Sequence, residues 1–134
     1  MSDRRSAIEN MMYHYAWTYD RNELDDIWQV FTIDAQATFR DSGLKVGRNA
    51  IVAEMRRRRA NYPEGTLPWH VISNVYITDE TPESARVRSW YTFFVQAPDG
   101  TQEFSNVGFY DDLFVLDDGV WRVSRRHIKS PHHP

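Results

Sequence analysis

The sequence contains no cysteine. Disulfides, thiolate nucleophiles and Cys-ligated zinc or iron–sulfur sites are thereby excluded. No apolar run approaches the roughly 18 residues needed to span a bilayer. The opening Met1-Ser2-Asp3-Arg4-Arg5 leads into an amphipathic pattern, not an apolar stretch. No signal peptide is therefore expected, and the expected compartment is the cytoplasm. Charge of one sign is also lacking: 16 Lys and Arg stand against 19 Asp and Glu, a formal net charge of −3. That balance gives no general pull toward nucleic acid or an anionic membrane. There is no glycine-rich phosphate loop and no nucleophile elbow. His127, His132 and His133 lack companions at ligand spacing, so no metal site is expected.

What is present is a chain of 134 residues, the usual size of one domain with one core. Hydrophobic residues make up 41% and charged residues 26%, a globular composition. Aromatics reach 14%, with five Trp and seven Tyr. Such residues fill cores and also line pockets for flat or apolar ligands.

Within residues 6–20, Ile8, Met11, Met12, Tyr15 and Tyr19 recur at helical spacing. Asn22 reads as the N-cap of a second helix, with Glu23, Asp25 and Asp26 in its first turn. Leu24, Ile27, Trp28 and Phe31 supply its apolar face. A short strand over 37–40 and the turn Asp41-Ser42-Gly43 come next. A third helix is expected over about 49–60, packed through Ile51, Val52 and Met55. Its run Arg56-Arg57-Arg58-Arg59 circles the helix and forms no single stripe, so it does not read as a nucleic-acid surface.

Beyond Pro68 the period drops from 3.6 to 2. Segments 69–78, 85–96, 103–116 and 120–129 are rich in β-branched and aromatic residues. Pro98-Asp99-Gly100 and Asp117-Asp118-Gly119 between them are hairpin signals. Helices first and an antiparallel meander later predict an α+β domain over 1–130, with a disordered tail over 131–134.

This order, with particular segments, resembles the nuclear transport factor 2-like superfamily and its SnoaL-like members. The segments are Tyr15-Ala16-Trp17-Thr18-Tyr19-Asp20-Arg21-Asn22, Trp69-His70-Val71-Ile72-Ser73-Asn74-Val75, Gly108-Phe109-Tyr110-Asp111-Asp112 and Asp118-Gly119-Val120-Trp121-Arg122-Val123-Ser124-Arg125-Arg126. The resemblance implies a cone: a curved, largely antiparallel (mixed) sheet packed on three helices, with a pocket at its open end. It also implies one of two functions. One branch holds small dehydratases, isomerases and cyclases that work without a cofactor on small hydrophobic, often cyclic, substrates. The other is the β subunit of aromatic-ring-hydroxylating dioxygenases, whose partner is a Rieske-type α subunit. Either implies a homodimer or homotrimer.

In the lyase-like branch, an Asp ending the first helix and a His early in the meander form a dyad. Asp20 and His70 match those positions. The resemblance makes His70 a general base oriented by Asp20, with Tyr15 polarising a substrate oxygen. Arg126 and His127 are the nearest candidates for the late arginine that some family dehydratases use. Strand parity groups His70, Ile72, Asn74 and Tyr76 on one face. It offers Trp90, Phe94, Asn106 and Tyr110 as substrate-pocket residues.

Overall fold

The computed structural model describes residues 3–131. His132, His133 and Pro134, part of the tail expected to be disordered, lie outside the described residues. The helix α1 (Arg4–Asp20) is capped by Asp3, whose carboxylate accepts from the Ser6 N–H at 2.7 Å. Its apolar stripe of Ile8, Met12, Tyr15 and Tyr19 is buried in the core.

The second helix expected from Asn22 is not formed. Asn22 instead has φ 60°, a left-handed residue closing α1. The segment behind it makes a single 3₁₀ turn over Ile27–Val30. Leu24, Ile27 and Val30 are spaced by three, the period of a 3₁₀ helix, and all three are buried. Phe31 cannot extend that turn because it opens β1 (Phe31–Phe39), where it pairs with Val123. Trp28 is left outside, beneath the guanidinium groups of Arg48 and Arg122. Two α-helices and one 3₁₀ turn therefore stand, among the described residues, where three helices were expected.

The remaining elements are β2 (Gly43–Val46), α2 (Arg48–Ala60), β3 (Leu67–Thr78), β4 (Ser84–Gln96), β5 (Gln102–Asp117) and β6 (Val120–Lys129). They form one mixed six-stranded sheet in the order β2-β1-β6-β5-β4-β3. β1 runs parallel to β6, and every other pair is antiparallel. The two-residue β5–β6 loop has φ 50° at Asp118 and 82° at Gly119, the left-handed pair that such a hairpin needs.

Both helices cover the concave face of the sheet. The core between them includes Val87, Tyr91, Tyr110, Phe114 and Val123 from the sheet and Ile51 and Met55 from α2. The arginine run at the end of α2 is a set of structural ties. Arg56 donates to the Leu24 carbonyl and to Asp25. Arg57 and Arg58 bond the buried carboxylate of Glu54. Arg59 donates to the carbonyls of Tyr19 and Asp20 at 3.0 and 3.2 Å. A cation there satisfies the orphan carbonyls of the α1 C-terminus and fixes the turn that carries Asp20.

Candidate functional site

Asp20 is the last residue of α1, and His70 lies on β3, the edge strand of the sheet. An edge strand exposes unpaired backbone donors. Asp20 takes one of them: its Oδ2 accepts the His70 N–H at 2.8 Å. Its Oδ1 meets His70 Nδ1 at 2.7 Å. The two bonds from one carboxylate hold both the backbone and the ring of His70. An ionised carboxylate only accepts, so Nδ1 carries a proton, and in the neutral imidazole Nε2 is the nitrogen with the free lone pair. No hydrogen bond to Nε2 is made among the described residues.

His70 stands between two cavities. A groove of about 710 Å³ runs outside, between α1 and β3, past Trp17, Asp20, Leu67 and Trp69. An interior cavity of about 600 Å³ lies between the helices and the concave face, lined by Tyr15, Tyr19, Tyr91, Phe93, Asn106 and Tyr110. The groove is larger, but it lies on the Asp20 side of the ring. Nδ1 is spent there on Asp20, while His70 also lines the interior cavity. Around His70 the ring centroids of Phe93, Tyr19, Tyr15 and Tyr91 lie at 4.7, 5.6, 6.2 and 6.2 Å. An imidazole in such a collar is shielded from bulk water, which strengthens the electrostatics around it.

Beneath the cavity, Arg126 and Asp112 form a buried pair with two bonds of 2.8 Å. Burial opposes the charge on Arg126, but the Asp112 carboxylate outweighs it and holds the guanidinium firmly protonated. Burial pushes the Asp112 carboxyl up, and Arg126 pulls it back. The guanidinium carbon lies 3.9 Å from the Tyr110 ring centroid and 4.6 Å from that of Tyr15. Arg126 Nη1 is buried without a hydrogen-bond partner. Burial also raises the Tyr15 and Tyr110 phenols above their ordinary value, with Arg126 opposing it in both. Both phenols are thus neutral donors at physiological pH.

Of the expected site residues, His70, Tyr15, Asn106 and Tyr110 line the interior cavity, with Asp20 behind His70. Trp90 and Phe94 do not. They sit on the convex face, where Trp90 packs on Phe109 at 5.3 Å and Phe94 stacks on Trp69 at 4.7 Å. The cause is a bulge in β3. Near the turn, Thr78, Ile77 and Tyr76 pair with Arg86, Val87 and Arg88. Continued without interruption, that register would set His70 opposite Phe94. The pairing shifts between Ser73 and Tyr76, where Asn74 has φ 54°, and His70 instead faces Phe93. A one-residue shift reverses the faces. Tyr76 consequently points outward over Arg88, so the parity that joined it to His70 fails.

The cavity residues that sequence reasoning missed include Tyr19, Tyr91, Phe93, Tyr62 and Arg40. Tyr91 was legible in part through Gly108, its cross-strand partner. A Cβ on Gly108 would lie 2.5 Å from the Tyr91 hydroxyl, so glycine there makes room for this ring over the strand. His127 lies outside this cavity, beside Arg125 and Asp111.

Comparison with known proteins follows this geometry. A family model described as a SnoaL-like domain matches residues 1–127. An uncharacterised protein of Mycobacterium tuberculosis is 29% identical over 124 residues, 91% of this chain and 82% of that protein. A scytalone dehydratase-like structure from Novosphingobium aromaticivorans has a TM-score of 0.78 at 26% identity, covering 92% of this chain and 81% of that one. A structure assigned as the β subunit of an aromatic-ring-hydroxylating dioxygenase, from the same organism, has a TM-score of 0.75 at 22% identity, with 92% and 86% covered. No described helix is long and apolar enough to cross a membrane.

Proposed function

This chain belongs to the SnoaL-like domain family, and we propose that it is a cofactor-independent lyase or isomerase acting on a small, hydrophobic, cyclic substrate. The observation that carries this reading is the double grip of Asp20 on His70. In the neutral ring it leaves Nε2 uncommitted, on a histidine that lines a cavity walled by aromatic rings.

In this mechanism the substrate lies with an acidic C–H at Nε2. His70 takes that proton, and Asp20 stabilises the imidazolium and holds its orientation. The electron pair left on carbon delocalises into an adjacent carbonyl. Tyr15, kept neutral by burial, donates its O–H to the developing enolate oxygen. Expulsion of a hydroxyl from the next carbon, which takes the proton from His70 and departs as water, gives a dehydratase-type product and restores the base. Return of the proton from His70 to another carbon gives an isomerase-type product.

The scytalone dehydratase-like neighbour supports this class. The test is deuterium uptake by 2-tetralone, a bicyclic ketone, in heavy water, followed by NMR. The protein is expected to accelerate exchange at the carbons beside the carbonyl above the buffer rate. Exchange no faster than buffer contradicts the proposal.

A second reading is a non-catalytic, β-subunit-like protein. It draws on the dioxygenase neighbour and on the aromatic residues left open on the convex face, including Trp90 and Phe104. Copurification with a Rieske-type α subunit would favour it.

A further inference from the structure

The interior cavity has a cation that the proton-transfer reading leaves without a role. Arg40 follows β1 at the rim of the cavity. Its Nη1 donates to the Tyr91 hydroxyl at 2.9 Å and, at the limit of a bond, to the Val107 carbonyl at 3.5 Å. Both acceptors are neutral. Among the described residues no carboxylate lies within ion-pair distance of Arg40.

Arg58, the other guanidinium group lining this cavity, and Arg126, buried beneath it, are both neutralised. Arg58 is held by Asp41, Glu54 and Ser42. Arg126 is buried against Asp112. Arg40 is thus the one lining cation with charge to spare, and it is open to solvent at the mouth.

Asp41 also lines this cavity, but its carboxylate is held by Arg58, and the neighbours of Arg40 on β5 are neutral donors. Phe93 pairs with Asn106 but Phe94 pairs with Phe104, so Ser105 is an extra residue in β5. That bulge turns both Ser105 and Asn106 to the cavity. Asn106 Nδ2 donates to Ser105 Oγ at 3.2 Å. The Ser105 hydroxyl hydrogen and the second amide hydrogen of Asn106 remain as donors. Tyr91 touches the guanidinium through its hydroxyl and neighbours the imidazole through its ring, whose centroid is 6.2 Å from that of His70.

We propose that Arg40 is an anion subsite and that the cavity takes a ring-bearing carboxylate, its carboxylate at the mouth and its ring along Tyr91 and Phe93. This deepens the preceding reading and rests on the same cavity being the binding site. A guanidinium–carboxylate contact is a charge-assisted bond, stronger than its neutral equivalent. It sets the end of the molecule that stays near solvent and so orients the acidic carbon toward His70.

The test is calorimetric titration of the whole chain with two probes of one shape, 2-naphthoate and 2-naphthamide. Naphthoate is expected to bind about tenfold more tightly at low salt, with the gap narrowing as salt rises. Arg40→Gln should bring the two affinities together, and Arg40→Lys should keep a preference for naphthoate. Equal affinities in the unaltered protein overturn the proposal and require no variant to show it. So does a preference that survives in Arg40→Gln, or failure of both probes to bind at millimolar concentration. Because binding alone is read, the outcome is separable from deuterium exchange: the anion subsite can fail with proton transfer intact, and the reverse.

Discussion

At the scale of the residue, the site reduces to one carboxylate that makes two bonds to one histidine. Asp20 accepts from the backbone and from the ring of His70, so position and tautomer are fixed together. Asp20→Asn tests this, since an amide offers an N–H as well as an oxygen. We expect nitrogen NMR to find the proton on Nδ1 of His70 in the native protein and a mixed or reversed tautomer in the variant. The rate should fall by about 10²–10⁴-fold. An unchanged tautomer with an unchanged rate would mean that Asp20 only ends its helix. These two residues were legible through the family resemblance, whose dyad positions they match at the end of the first helix and the start of the meander. Arg40 was not, since a single arginine after a strand carries no pattern. Its meaning comes from carboxylates that are elsewhere, spent on Arg58 and Arg126.

At the scale of the element, alternation along β4 was plain in the sequence but its phase was not. Both faces of that strand are aromatic: Tyr91 and Phe93 turn inward, and Trp90 and Phe94 turn outward. Only the register with β3 decides between them, and a single left-handed residue, Asn74, moves that register. The segment 22–31 failed for a related reason. Its apolar spacing fits a 3₁₀ turn as well as a helix, and pairing of Phe31 with β6 selects the turn.

The ties at α2 have a pH consequence. Arg57, with Arg58 and Ser42, holds the Glu54 carboxyl at about 2, below its ordinary 4.5, against the opposing effect of burial. A carboxyl depressed by folding stabilises the fold above its unfolded value and loses that contribution as pH falls toward its folded value. The melting temperature should therefore drop between about pH 4.5 and 2, and Glu54→Gln should flatten that part of the profile. Parallel profiles for the two proteins would remove Glu54 from the account.

At the scale of the whole molecule, the α+β class and the final four-stranded meander were readable from the change of period after Pro68 and from the Asp-Gly turns. The parallel contact of β1 with β6 was not, because it joins strands from opposite ends of the chain. The sheet has helices on one face only. On the other, Trp90 is 40% exposed, Phe104 59% and Tyr76 60%. A face of this kind calls for a cover. We expect a homodimer or homotrimer at micromolar concentration by sedimentation, and Trp90→Glu should dissociate it. A monomer in the unaltered protein would contradict this.

The central claim is that His70 moves a proton at carbon inside the aromatic cavity. It is tested most directly by comparing His70→Ala with the native protein in the rate of deuterium exchange into 2-tetralone, with melting measured on the same samples. The account predicts a rate lower by about 10²–10⁴-fold in a protein that still folds. Equal exchange by the native protein and a folded His70→Ala variant would contradict it.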